Sequence, residues 1–229
     1  MKSTRRSRRT GSVRLRAAQG RHQPGSCRVL GCPNKAPRST DGGLNTRYCR
    51  PHHDHLSRHG SLFLGAYTKA VLDPTRMRAL RWLRRHAGDQ AVRLAVQSIE
   101  VLYKGGGGRH TSACWRGMSP AEQAAATWAR LRENGADPLR VLAGYIAVAE
   151  VIRLDPTSDG RKEYRIVQAA KGVRRMASGW HRRWETTGQE MHVYPISRGR
   201  VLRHIGEQVE RAGELVLDVY RRDIREKRQ

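Results

Sequence analysis

Long apolar runs are missing from this 229-residue chain. No stretch of 18 apolar residues occurs, so no segment is expected to cross a membrane as a helix. The N-terminus is basic but has no apolar stretch behind it, which argues against a secretory signal. The chain is therefore expected in the cytoplasm, where association with a nucleoid is compatible with its charge. Cysteines number only four. In a reducing compartment so few point to metal binding or plain burial rather than disulfides. No βαβ pattern is present, which argues against a nucleotide-binding sheet. The glycine run Gly105–Gly108 lacks the Gly-Lys-Ser/Thr ending of a phosphate loop, and no strand leads into it.

Acids are few beside the basic residues. There are 20 Asp and Glu against 45 Lys and Arg, a formal charge of +25. Glu100, Glu122, Glu133, Glu150 and Glu163 scatter through separate predicted helices, where salt bridges on a basic surface are their expected role. A genome rich in G and C would replace Lys by Arg, but it accounts poorly for missing acids. The excess favours a polyanionic partner, because neutralised phosphates supply most non-specific affinity for DNA and RNA. About half of it sits in residues 1–60, which hold 14 basic and 2 acidic residues.

Five segments follow from the composition. Residues 1–25 carry eight Lys or Arg and no acid, and read as a disordered basic arm. Residues 26–61 hold a cysteine and histidine module, punctuated by Gly31, Pro33, Pro37 and Gly42–Gly43. Residues 62–103 form a helical segment, 104–118 a glycine-rich flexible connection, and 119–229 a helical domain. The fold class is mainly α: a helical domain preceded by a small zinc-stabilised module and a disordered arm.

The module has too few apolar residues for a core, yet it holds three of the four cysteines within 23 residues. Cys27, Cys32, Cys49 and His52 are separated by four, sixteen and two residues. Paired ligands of this kind, one pair in a knuckle and one at a helix start, suit a structural Zn²⁺ site. Metal would then supply folding energy that a core cannot. His53 and His55 are rivals to His52 as the fourth ligand.

Cys27, Gly31, Cys32, Tyr48, Cys49, His52, Arg58, His59 and Gly60 carry a resemblance. The segment is similar to a small zinc module of phage and mobile-element proteins, often found with HNH-type homing endonuclease domains. His53 stands where that pattern more often has Tyr. The likeness covers about 35 residues of the 229. It implies a zinc-stabilised, DNA-contacting accessory module and no catalysis. It also implies that His59 is not a ligand but part of a turn beyond the module. From that turn Arg58 either contacts phosphate or packs with His59.

Beyond residue 62 the apolar spacing is helical. Asp73–Pro74 reads as a cap and first turn, followed by Met77, Leu80 and Leu83. Ala91, Leu94, Ala95, Ile99 and Leu102 mark the next helix. Ser119, Pro120 and Glu122 form a capping box, ahead of Ala125, Trp128 and Leu131. Asp137–Pro138 repeats the signal before Leu139, Leu142, Tyr145, Ile146 and Ala149. A further helix spans about 162–178. Residues 185–197 look irregular, with an extended piece around 191–194. A long amphipathic helix over 198–226 carries Val201, Ile205, Val209, Leu215 and Val219, and its internal Gly206 and Gly213 count against its continuity.

Candidate nucleic-acid contacts are Arg5, Arg6, Arg8 and Arg9 in the arm, and Arg47, Arg50 and Arg58 in the module. Arg81, Arg85, Arg174, Arg175, Arg182 and Arg183 complete the set in the helical part. Trp180 and Trp184 lie beside the last of these and either stack on bases or anchor a helix. No catalytic residues are assigned: His52, His53, Asp54 and His55 lack a second cluster to complete an HNH site. Cys114 near His110 reads as a small core residue. The expected function is duplex DNA binding, with a protein partner in a larger complex also allowed. The rivals are an RNA-associated protein of ribosome-bound type, an HNH-like nuclease and a helical scaffold.

Overall fold

The computed structural model describes residues 25–36, 47–107, 117–158, 160–177, 181–183, 186, 190–192 and 199–227, with backbone alone at 181–183 and 190–192. The arm, Cys114, His110, Trp180 and Trp184 lie outside the described residues. The described chain is mostly helical. Its helices are α1 (Arg50–His59), α2 (Lys69–Arg85), α3 (Gln90–Gly105), α4 (Pro120–Glu133), α5 (Pro138–Leu154), α6 (Lys162–Ala177) and α7 (Gly199–Glu226). Strands β1 (His181–Arg183) and β2 (Glu190–His192) pair antiparallel, His181 opposite His192. Contacts divide the chain into two units, Met1–Ser57 and Arg58–Gln229.

In the first unit a hairpin-like turn is held by backbone bonds. Ser26 bridges Lys35, Cys27 N–H donates to Asn34 O at 3.0 Å, and Ala36 N–H donates to Gly25 O at 2.8 Å. Cys32 N–H closes the knuckle on Val29 O at 3.0 Å. Gly31 has φ +74°, a conformation that a side chain would strain. The buried apolar residues described here are Cys27, Val29, Ala36 and Cys49. That set is far below what a folded domain needs.

The second unit has an extensive core of its own. Helix α7 touches α3, α4, α5 and α6, and α2 lies along α5. Trp82, Leu83, Ile99, Trp128, Leu142, Ile146, Ile205 and Tyr220 are among its fully covered side chains. Each buried indole finds an acceptor: Trp82 Nε1 donates to Asp223 at 2.7 Å, and Trp128 Nε1 to Gln208 at 2.7 Å. Two of the three helix starts read from Pro are as expected. Ser119 and Glu122 exchange the two bonds of a capping box, and Asp137 accepts from Leu139 N–H at 2.9 Å.

Four details differ from the sequence reading. Helix α2 begins at Lys69, capped by Thr68 Oγ1, and Pro74 lies inside it. Leu72 packs against the core, and that burial outweighs the preference of Pro74 for a first turn. Asp73 therefore holds Arg76 at 2.8 Å instead of capping. Helix α3 runs on through Lys104 and Gly105, into the expected flexible connection, where Arg132 donates to the Tyr103 carbonyl in its last turn (3.2 Å) and to the Gly107 carbonyl just beyond it (2.7 Å). Helix α7 is continuous through both glycines. Met77, Leu94 and Leu215, read as apolar-face residues, are 46%, 46% and 53% exposed. The buried face of α3 is instead Val92, Ala95, Ile99 and Tyr103.

The glycines of α7 are sites of close approach. A Cβ at Gly206 would meet the Ile166 carbonyl and lie 2.6 Å from its Cγ2. One at Gly213 would lie 2.6 Å from Tyr145 Cδ1. Seven residues apart, the two sit on one helical face and let α6 and α5 close on it.

Two acids of this unit are buried and paired, and several more are paired nearer the surface, while Asp89, Glu100, Glu133, Glu207, Glu214, Asp218 and Glu226 are exposed. Glu150 is 7% exposed and bound by Arg153 (2.8 Å) and Arg221 (2.7 Å). Burial raises its pKa, but those two guanidiniums outweigh it and hold the carboxyl below the usual range. Glu210, 4% exposed, takes Lys162 at 3.0 Å and also Arg165. Glu163 binds Arg203, Asp155 accepts from Tyr67 at 2.6 Å, and Asp223 takes Lys227 at 2.7 Å.

Candidate metal centre

Two local structures deliver the four ligands. The first pair, Cys27 and Cys32, flanks the knuckle turn closed at Gly31. The second pair sits at the start of α1. His53 N–H donates to Cys49 O at 2.9 Å, so Cys49 is the N-cap and His52 lies in the first turn. Pro51 also lies in that first turn, where its missing N–H leaves no bond unmade.

The ligand atoms of Cys27, Cys32, Cys49 and His52 all lie within 4.8 Å of one another, close enough to bind one metal ion. His52 Nδ1 is 3.4 Å from Cys27 Sγ and 3.1 Å from Cys49 Sγ. Cys32 Sγ is 3.9 Å from Cys49 Sγ. Around a tetrahedral ion, bonds of about 2.3 Å to sulfur and about 2.05 Å to nitrogen separate two sulfurs by about 3.8 Å and sulfur from nitrogen by about 3.6 Å. The Cys27–His52 and Cys32–Cys49 separations lie within about 0.2 Å of that arrangement, and Cys49–His52 is about 0.5 Å shorter. Nδ1 is the ring nitrogen turned toward the sulfurs. His52 rather than His53 or His55 is thus the fourth member of the cluster. His53 Nδ1 lies 3.8 Å from Asp54 instead.

Charge in the cluster calls for a cation. Burial raises the Cys27 thiol, but backbone N–H groups of Cys49 and Val29, with His52 and Cys49 side chains, outweigh it and bring the pKa down to about 6. Cys49 is pushed up: the His52 N–H lowers it, while burial and the sulfurs of Cys27 and Cys32 win. Thiols this close resist ionising together, and an ion among them removes that repulsion. The soft thiolate set also selects against Mg²⁺ and Ca²⁺.

The candidate nucleic-acid residues divide by placement. Arg47 and Arg50 are exposed on the first unit, beside exposed Arg28 and Lys35. Arg58, Arg81, Arg85 and Arg175 are exposed on the second. Arg174 is half-buried, and burial together with Arg130 lowers its pKa. Arg130 is 7% exposed and was not foreseen. Arg5, Arg6, Arg8 and Arg9 lie outside the described residues, and of Arg182 and Arg183 only the backbone in β1 is described.

Arg58 and His59 end α1 instead of forming a turn beyond it, and His59 and Gly60 pack within the second unit. Lys171 Nζ lies 2.9 Å from His59 Nδ1, and Gln168 Nε2 donates to His59 O at 3.1 Å. Burial, then Arg175, lowers Lys171 to about 8. Gly60 has φ +76°, and a Cβ there would lie 2.6 Å from Glu163 O. His59 is therefore a packing residue, while Arg58 remains exposed. No protein-family model, curated protein or solved structure matches this chain.

Proposed function

We propose that this chain is a nucleic-acid-binding protein of phage or mobile-element type that grips duplex DNA through phosphate contacts and has no catalysis of its own. The carrying observation is the division of charge. Glu150 and Glu210 are buried in ion pairs, and Glu163, Asp155 and Asp223 are engaged by Arg203, Tyr67 and Lys227 nearer the surface. Arg28, Lys35, Arg47 and Arg50 on the first unit, and Arg78, Arg81, Arg84 and Arg85 on the second, are exposed. Such a surface concentrates positive potential outward, where a polyanion meets it.

Zn²⁺ is the ion this reading assigns to Cys27, Cys32, Cys49 and His52. It would give the first unit a fixed shape, so that its cations are presented together rather than on a loose chain. The assignment to mobile elements rests on the motif around Cys49, His52 and Gly60. No helix among the described residues is long and apolar enough to cross a membrane. The cytoplasm, with access to a nucleoid, is the location that fits this role.

A competition between duplex DNA, structured RNA and single strands at equal phosphate concentration tests the proposal. Duplex DNA is expected to displace the others, and the duplex should stay intact in Mg²⁺. Preference for structured RNA would move the chain to the ribosome-associated class. Mg²⁺-dependent cleavage lost in His53→Ala would make it a nuclease.

A further inference from the structure

Leu30 stands at the apex of the metal knuckle, between Cys27 and Cys32, and is 102% exposed. A single exposed Leu is ordinary on a protein surface. Three features set this one apart. Its neighbour Val29 is turned inward at 9% exposure, so the knuckle spends an apolar residue on the outside while the first unit has almost none to bury. Its backbone is fixed on both sides, by the Cys32 N–H bond to Val29 O and by Gly31 at φ +74°. Two cations lie near in the chain or through the backbone: Arg28 is exposed two residues away, and Arg28 N–H donates to Arg47 O at 2.9 Å, holding the backbone of exposed Arg47 beside that of Arg28.

An exposed apolar tip with arginines beside it is complementary to a polyanion with an apolar interior. Duplex DNA has phosphates outside and stacked bases within, and proteins that kink it push apolar side chains between base steps while cations hold the strands. We infer that Leu30 is a wedge that enters a base step of duplex DNA, with Arg28 and Arg47 on the flanking phosphates. This inference rests on the duplex-binding reading above. The wedge opens most readily at pyrimidine–purine steps, whose stacking is weakest, and so gives a shape preference without hydrogen bonds to bases.

The test uses the full metal-loaded chain and duplexes carrying 2-aminopurine at a TA step, whose fluorescence rises on unstacking. Wild type is expected to raise the signal, and Leu30→Ala to abolish the rise while weakening affinity about tenfold. Leu30→Lys should lose the rise as well, yet keep affinity closer to wild type because it adds a cation. Metal content, measured on each variant, should not change, since Leu30 is fully exposed. An equal fluorescence rise in wild type and Leu30→Ala overturns the wedge and leaves duplex binding standing. Binding of the duplex without any rise does the same. Failure of wild type to bind the duplex, or a rise confined to structured RNA, overturns both.

Discussion

Cys49→Ser is expected to strip the metal from the chain and to unfold the first unit while the helical signal largely persists. Cys49 occupies the middle of the cluster: its sulfur neighbours Cys32 and His52 Nδ1, and its carbonyl starts α1. The first unit buries only Cys27, Val29, Ala36 and Cys49 among its described apolar residues, so no core replaces the ion. Structural zinc sites of this size carry on the order of 10 kcal/mol of binding energy, which in such modules is folding energy. Losing one thiolate removes enough of it to favour the open chain. Elemental analysis should fall from one ion per chain toward none, and amide exchange across 25–36 and 47–57 should lose its protection. The core of the second unit contains no residue of the first, so α2 to α7 should keep their far-ultraviolet signal. Retained metal and retained protection in Cys49→Ser would contradict the account.

The second large effect belongs to Gly206. Alanine normally favours a helix over glycine by about 1 kcal/mol. At position 206 the added carbon would meet the backbone carbonyl of Ile166, which cannot rotate away. Helix α7 would have to lift from α6, opening a seam that includes Ile205, Val209 and Val167. Overpacking of this kind destabilises by roughly 1–3 kcal/mol even where side chains yield, and a backbone contact belongs at the top of that range. Gly206→Ala should therefore lower the unfolding free energy by about 2 kcal/mol net, read as a lower denaturation midpoint and opposite in sign to its propensity. Gly144→Ala, within α5 and with nothing near its would-be Cβ, is the matched control and should be neutral or stabilising. Equal effects at both positions would show that close approach is not what Gly206 provides.

These two residues also mark where sequence reasoning succeeds and where it stops. Cys49 is legible because metal chemistry demands particular donors at short spacing, and little else gathers cysteines in a segment without a core. The choice of His52 over His53 and His55 is not legible, because it depends on which face of the first turn of α1 meets the knuckle. Ser119, Glu122 and Asp137 are legible because capping is local. Gly206 is misleading in isolation, since glycine breaks helices by propensity and joins them by close packing, and only the partner at Ile166 decides. Pro74 misleads for the same reason: burial of Leu72 overrides it. Leu94 and Leu215 match an apolar period yet face outward, because a helix of 16 or 28 residues offers two faces that fit the same spacing.

The total of +25 is plain in the composition, but the inward use of Glu150 and Glu210 is a property of the fold. The salt dependence of duplex DNA affinity, measured for wild type and for the triple variant Arg28→Gln, Arg47→Gln, Arg50→Gln, tests the proposed role most directly. Each phosphate contact contributes a slope of about −0.9 in log affinity against log salt. The account predicts a steep slope for wild type, made shallower by about 2 to 3 units in the triple variant, with metal content unchanged. An unaltered slope in the triple variant, or a wild-type affinity that does not respond to salt, would contradict it.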